Sequence, residues 1–297
     1  KLNLRAKRRQ SGGPFARPSG SIHRCVDFHA GRSYNKARLA CIPLYTSKEA
    51  SLMDMTYVWL VLVSLAGGFL QSAIGFGYAT VVMVFFPMVL PDMPIASTVC
   101  AVLSLLASST MFIQYRKSAR PKHVLWLIVA FFVAMPFAVS WSTRVPKLVL
   151  SVIFGLFLVL LGLYDLFAAD KIRIPRTRAA GIIAGALSGV LGGLFSVSAP
   201  PAALYCLSTL DTKEAYIGTL QFFFLITNAY AVGVRAFNGL VTSQVLVWSL
   251  AASGGVLLGL WSGRMAFGKH ADLARVKRWV FIFIACMGAW TILSNFI

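Results

Sequence analysis

Eight long apolar segments follow one another from residue 57 to the end of the chain, at roughly 57–90, 94–115, 123–141, 148–168, 179–207, 215–234, 241–262 and 279–297. A run of ~20 apolar residues crosses the hydrocarbon core of a bilayer as one helix. In lipid, only helices and closed barrels satisfy every backbone polar group. With 58% of residues hydrophobic and 12% charged, the chain lacks the polar surface of a soluble domain. The expected fold is an all-α polytopic membrane protein, multi-pass in the cytoplasmic membrane.

Six segments have single-span length, whereas 57–90 and 179–207 are longer and interrupted by glycine, serine and proline. Each of these two is expected to be a pair of short helices joined by irregular backbone. Such backbone survives at membrane depth only where it faces protein or a wet cavity.

The chain also repeats itself. Gly68–Ala79 (GFLQSAIGFGYA) aligns with Gly189–Pro200 (GVLGGLFSVSAP) at a shift of 121 residues. Asp92 aligns with Asp211 and Arg116 with Arg235 at 119, and Trp141-Ser142-x-Arg144 with Trp261-Ser262-x-Arg264 at 120. A nearly common offset points to duplicated halves, each opening with an interrupted helix. The expected organisation is a disordered basic leader over 1–52, a first transmembrane repeat over 53–168, a basic cytoplasmic linker over 169–178, and a second repeat over 179–297.

The net charge of +19 is carried partly by the leader, which has 11 Lys/Arg against 2 acidic residues. Met53 or Met55 is the expected natural start, with the basic stretch lying upstream of it; a transit peptide or a basic arm on anionic lipid are the alternatives. Downstream, positive charge clusters at Arg116–Lys122, Lys171–Arg178 and Arg264–Arg278. These short clusters between apolar runs read as membrane topology rather than nucleic-acid binding. If every segment crossed, the third cluster would face away from the other two. If 179–207 dips in and returns, all three lie in the cytoplasm and the halves are inverted, which is the preferred arrangement.

The interrupted segments hold the candidate site: Gln71, Ser72, Gly75 and Gly77 in the first half, Gly192, Gly193, Ser196 and Ser198 in the second. Glycine lets backbone N–H groups turn toward a ligand, and a half-helix N-terminus adds partial positive charge. Pro200 and Pro201 suit the first turn of a half-helix. Together these make a small anion site without a buried Lys or Arg; close packing through small residues is the competing account of the glycines. Asn228 lies deep in an apolar helix, where an amide needs a ligand or a helix–helix hydrogen bond. Gln221 raises the same alternatives, and Ser108, Ser109 and Thr110 are the nearest first-half counterparts of Asn228.

The chain has no Walker motif, no Ser/His/Asp arrangement, no paired intramembrane carboxylates and no HExxH or CxxC pattern. The reading is therefore not an enzyme, with no metal and no cofactor.

The duplicated glycine-rich motifs, the four-segment halves and the helical Asn228 resemble the sulfite exporter TauE/SafE family of membrane anion permeases, over about residues 53–297. The family's first-half Gly-x-Gly-Gly-like run corresponds to Gly75-Phe76-Gly77-Tyr78-Ala79. Its second-half Gly-x-Gly-Gly-Pro corresponds to Ser196-Val197-Ser198-Ala199-Pro200-Pro201, which keeps the proline and replaces the glycines. The two added hydroxyls can donate to sulfonate or carboxylate oxygens. The resemblance implies a permease for sulfite, a sulfonate, sulfoacetate or a similar organic anion, with the lipid bilayer and a small anionic solute as partners and no nucleic acid; the membrane potential favours export of an anion. A passive anion channel and a non-transporting membrane anchor or assembly subunit are the alternatives.

Overall fold

The computed structural model describes residues 47–167, 175, 177–266, 282 and 285–293, with side chains from residue 55. The chain divides into two compact units, Lys1–Met53 and Asp54–Ile297. All that follows concerns the second. The third basic cluster beyond Arg264, and nearly half of the 279–297 segment, lie outside the described residues.

Every described element is helical: α1 (Ser47–Ile74), α2 (Tyr78–Val89), α3 (Met93–Tyr115), α4 (Leu125–Ser142), α5 (Lys147–Phe167), α6 (Arg178–Phe195), α7 (Ala199–Thr209), α8 (Lys213–Phe237) and α9 (Ser243–Ala266), with a helical piece over 285–293. Seven of the described helices are long and apolar enough to cross a membrane. Leu250, Phe137 and Val133 are more than half exposed, as lipid-facing residues should be. Thr177 and Thr212 cap α6 and α8 by accepting from the Ala180 and Ala215 amides, which satisfies orphan donors at those starts.

The two long sequence segments both break, but not into two equal pieces. In the first, α1 contains a crossing-length run from Met55 to Ile74, and α2 has 12 residues, about 18 Å of helix. The chain reverses between them. Tyr78 Oη donates to Ser64 Oγ at 3.3 Å, and a Cβ on Gly67 would stand 2.9 Å from the Tyr78 ring and 3.0 Å from Val82, so α2 returns along α1. In the second, α7 returns along α6: a Cβ on Gly181 would lie 3.1 Å from Tyr205 and one on Gly192 3.3 Å from Ser198. Each segment is thus one long limb and one short returning limb. Three residues suffice for each reversal because Gly75 (φ +88°) and Ser196 (φ +59°) adopt left-handed backbone.

The long limbs pack by close backbone approach. On α6, Gly185, Gly189 and Gly193 recur every four residues and face α4; a Cβ at Gly189 would stand 2.9 Å from the Phe131 carbonyl oxygen and one at Gly193 2.8 Å from that of Met135. On the α1 side both helices contribute: Gly255, Gly259 and Gly263 of α9 abut the Val61, Leu65 and Phe69 carbonyls, and Gly68 of α1 abuts the Val256 carbonyl. Spacing by four puts such residues on one helix face.

Loop contacts define two ends. Arg120 N donates to Thr219 Oγ1 at 2.8 Å, tying the α3–α4 turn to the start of α8. At the other end Lys147 Nζ donates to the Pro91 carbonyl at 2.9 Å, and Asp92, Ser142, Thr143, Lys147 and Leu240 border one cavity.

Candidate functional site

The two reversals point into one space. A small cavity of about 20 Å³ is lined by Gln71 of α1, Gly77 and Ala79 of the first reversal, Ser196, Ser198 and Ala199 of the second, Ser104 of α3, and Phe224 and Asn228 of α8. Ser104 is the central residue of α3, and Asn228 lies near the middle of α8.

Each tip is fixed by a polar contact to a long helix. Gln221 of α8, fully buried, donates through Nε2 to the Gly75 carbonyl at 2.6 Å. Ser196 donates through Oγ to the Ser97 carbonyl of α3 at 2.6 Å. The Ser196 proton is therefore committed, and its oxygen offers the cavity only acceptor capacity.

Three other lining side chains make no hydrogen bond among the described residues, although each residue is more than nine-tenths buried: Gln71, Ser198 and Asn228. Their two amides and one hydroxyl supply five N–H or O–H donors. Their polar atoms open on the cavity, where they are free to bond a polar ligand. The first turn of α2 adds the backbone N–H groups of Tyr78, Ala79 and Thr80, which an α-helix leaves without internal acceptors. The Gly77 cap contributes no side-chain bond to them. At α7, Pro200 and Pro201 lack N–H groups, leaving Ala199 as the corresponding backbone donor. Among the described residues no ionised side chain lines the space; its field is that of two helix N-termini and amide dipoles, which favours an anion.

Of the residues singled out from sequence, Gln71, Gly77, Ser196, Ser198 and Asn228 come together here. Gly75 shapes the tip, its carbonyl held by Gln221. Ser72 faces α9, where a Cβ on Gly263 would stand 3.0 Å from its own Cβ. Gly192 and Gly193 lie outside the lining, and Gly193 packs on α4. Ser108, Ser109 and Thr110 donate to carbonyls of their own helix, and the α3 hydroxyl in the cavity is Ser104, which sequence reasoning missed.

The largest departure from the sequence reading is Arg235. An anion site without a buried Lys or Arg is expected from sequence, yet Arg235 on α8 is completely buried. Its Nη2 donates to the carbonyls of Gly192 at 2.9 Å and Gly193 at 3.0 Å. These are the last-turn carbonyls of α6, where the helix dipole is negative. The signal was its register: Gln221, Asn228 and Arg235 are seven residues apart, on one face of one helix. Among the described residues no group of His, Cys, Asp or Glu is arranged to hold a metal ion.

Apolar crossing helices, two hairpins broken at membrane depth and a polar cavity between their tips define a polytopic α-helical membrane transporter. The family model of the sulfite exporter TauE/SafE matches residues 60–291, and the chain belongs to that family, whose members are membrane transporters and not enzymes. No curated protein and no solved structure matches the chain.

Proposed function

We propose that the chain exports a small oxyanion or organic anion, of the sulfite, sulfonate or sulfoacetate type, across the cytoplasmic membrane, and that the anion binds between the two hairpin tips. The observation that carries this reading is the convergence of three unpartnered buried donors, Gln71, Ser198 and Asn228, with the opening turn of α2 on one cavity. Hydrogen-bond donors without a fixed cation bind an anion firmly enough to select it and loosely enough to release it.

Export needs no coupling ion. One negative charge leaving a cell gains about 2.3 kcal/mol per 100 mV, so ~150 mV is worth roughly 3.4 kcal/mol, or about 300-fold in concentration. The halves, 53–168 and 179–297, are inverted duplicates in this reading. Supporting it, Gly75 and Ser196, 121 residues apart, both end a long helix with left-handed backbone, and their amides donate to Gln71 and Gly192, also 121 apart, at 2.8 and 3.0 Å. The basic residues around Lys117, Arg178 and Arg264 then share the cytoplasmic face.

Transport of sulfite and sulfoacetate by proteoliposomes tests the site. Losing one hydrogen bond to a charged ligand costs ~1.5–3 kcal/mol, about 10- to 150-fold in affinity. Ser198→Ala and Asn228→Ala should each weaken the anion by that order while expression is unchanged. A double variant that transports like the parent would remove the anion from this cavity.

A further inference from the structure

Arg235 is placed where a structural cap alone does not account for it. Of its five N–H bonds, those of Nη2 serve the Gly192 and Gly193 carbonyls, while Nε and Nη1 are buried with no hydrogen-bond partner. No carboxylate pairs with it among the described residues; the ionisable group that faces it is the Cys100 thiol of α3. A cation at membrane depth is expensive, and the negative end of α6 offsets only part of that cost. The guanidinium therefore keeps unused affinity for an anion.

Its level in the fold says which anion reaches it. Along α8 the order is Asn228, which lines the central cavity, then Arg235 seven residues on, about 10 Å away on the same face, then Leu240. Along α3 the order is Ser104 in the cavity, Cys100 facing Arg235, then Met93 and Pro94. Leu240, Met93 and Pro94 border a second, larger cavity of about 310 Å³, together with Lys147. Two antiparallel helices thus give the same sequence of levels: cavity, guanidinium, outer cavity.

We propose that Arg235 is a second station for the transported anion, taking it through Nε–H and Nη1–H as it passes between the central cavity and a vestibule at the Leu240 end. This rests on the carrier reading above. The asymmetry has a purpose in that reading: the donors of the central cavity are uncharged, and a full positive charge beyond them draws the anion toward one end.

The test offers sulfite to oriented proteoliposomes from each face in turn, with Arg235→Gln, Arg235→Lys and the double variant Ser198→Ala with Asn228→Ala beside the parent, each checked for folding by size exclusion and thermal midpoint. Arg235→Gln should raise KM from the Leu240 face by about 10-fold or more, with KM from the other face moved by less than about 2-fold. Arg235→Lys keeps the charge but loses the fork, and should raise KM by about 3-fold on the Leu240 face only. A purely structural cap for α6 predicts equal shifts on both faces or none, and either result in a folded variant overturns the proposal. Should Arg235→Gln not fold, the same two results in Arg235→Lys overturn it. If the double variant transports normally while Arg235→Gln keeps its one-sided effect, the central-cavity reading fails and the Arg235 station stands. A parent that carries neither sulfite nor sulfoacetate ends both.

Discussion

The two hairpin tips perform one topological task with different chemistry. The first reverses over Gly75-Phe76-Gly77 and opens α2 with three free backbone donors; the second reverses over Ser196-Val197-Ser198 and opens α7 on Pro200-Pro201, which removes two of them. What the second tip lacks in backbone N–H it supplies as the Ser198 hydroxyl. The anchoring differs in the same sense: the first tip is held by its own carbonyl accepting from Gln221, the second by the Ser196 side chain donating to Ser97. A glycine tip is a backbone surface in a left-handed conformation that residues with side chains rarely adopt. A serine-proline tip is a stiff wall carrying an exchangeable functional group. Substrate differences within such a fold are accordingly expected at the second tip, where a change of side chain leaves the reversal intact.

Below the tips the hairpins are alike, and the largest predicted effects test that likeness. A Cβ at Gly185 would run into the Leu127 carbonyl of α4, and one at Gly259 into the Leu65 carbonyl of α1. Backbone cannot give way as a flexible side chain can, so the helices must separate. Gly185→Ala and Gly259→Ala should each cost ~1–3 kcal/mol or more, seen as a fall in thermal midpoint or loss of monodisperse protein in detergent. Gly254→Ala on α9, where no atom lies within 4 Å of the added Cβ, is the control and should be neutral or gain up to ~1 kcal/mol of helix propensity. A cost confined to one of the two crossings would break the equivalence of the hairpins.

The next effect separates the tips. Gly77 has φ +107° and open space around its Cβ position, so a substitution meets no neighbour but must adopt backbone that L-residues rarely accept. That costs ~1–2 kcal/mol, more for a β-branched residue, and places a side chain at the cavity wall. Gly77→Val should therefore insert and fold yet show no transport. Ser198 has φ −89°, available to any residue, and Ser198→Val should lose about 10-fold in affinity, one hydrogen bond's worth, and remain active. Parent-like transport by Gly77→Val would mean the glycine tip is not a donor surface.

How far such a site can be read from sequence follows from which signals are local. The breaks were legible because glycine and proline interrupt otherwise unbroken apolar runs, and the amides at 71 and 228 because polar groups are conspicuous in them. Which face of a helix meets the cavity is not local. Ser72 is one residue, and so about 100° of helix, beyond Gln71, and it turns to α9 instead. Gly192, 121 residues after Gln71, has no side chain to project, and its carbonyl serves Arg235. The hydroxyls at 108–110 are satisfied within their own helix, as serine and threonine in apolar helices often are, whereas Ser104 one turn earlier reaches the cavity. Arg235 was hidden by its charge: an arginine after an apolar run reads as the helix end, so the hydrophobic segment closed at 234, whereas α8 continues to Phe237. Only the tertiary fold shows that the α6 carbonyls meet it there. The unequal limbs have the same origin, since glycine marks where a helix breaks but not that the chain then turns back.

The smallest predicted effect concerns the anchoring of the tips. Ser196 holds a left-handed conformation at φ +59°, which costs a non-glycine residue ~1–2 kcal/mol, and it regains part of this through the hydrogen bond to Ser97, worth ~0.5–1.5 kcal/mol. Ser196→Gly removes both terms and adds ~0.4–1 kcal/mol of chain entropy on unfolding. The three nearly cancel, so stability should change by less than ~1 kcal/mol and transport should persist, because the proton of this hydroxyl already belongs to Ser97 and not to a ligand. The reciprocal Gly75→Ser gains no such bond: at φ +88° its Cβ would stand 3.2 Å from Ile217, and it should lose ~1–2 kcal/mol. Thermal midpoints of the two variants, measured in the same detergent, decide the matter. A loss above ~2 kcal/mol in Ser196→Gly would show that the Ser196–Ser97 bond anchors its tip more strongly than a neutral hydrogen bond does, making the second tip as firmly held as the first is by Gln221.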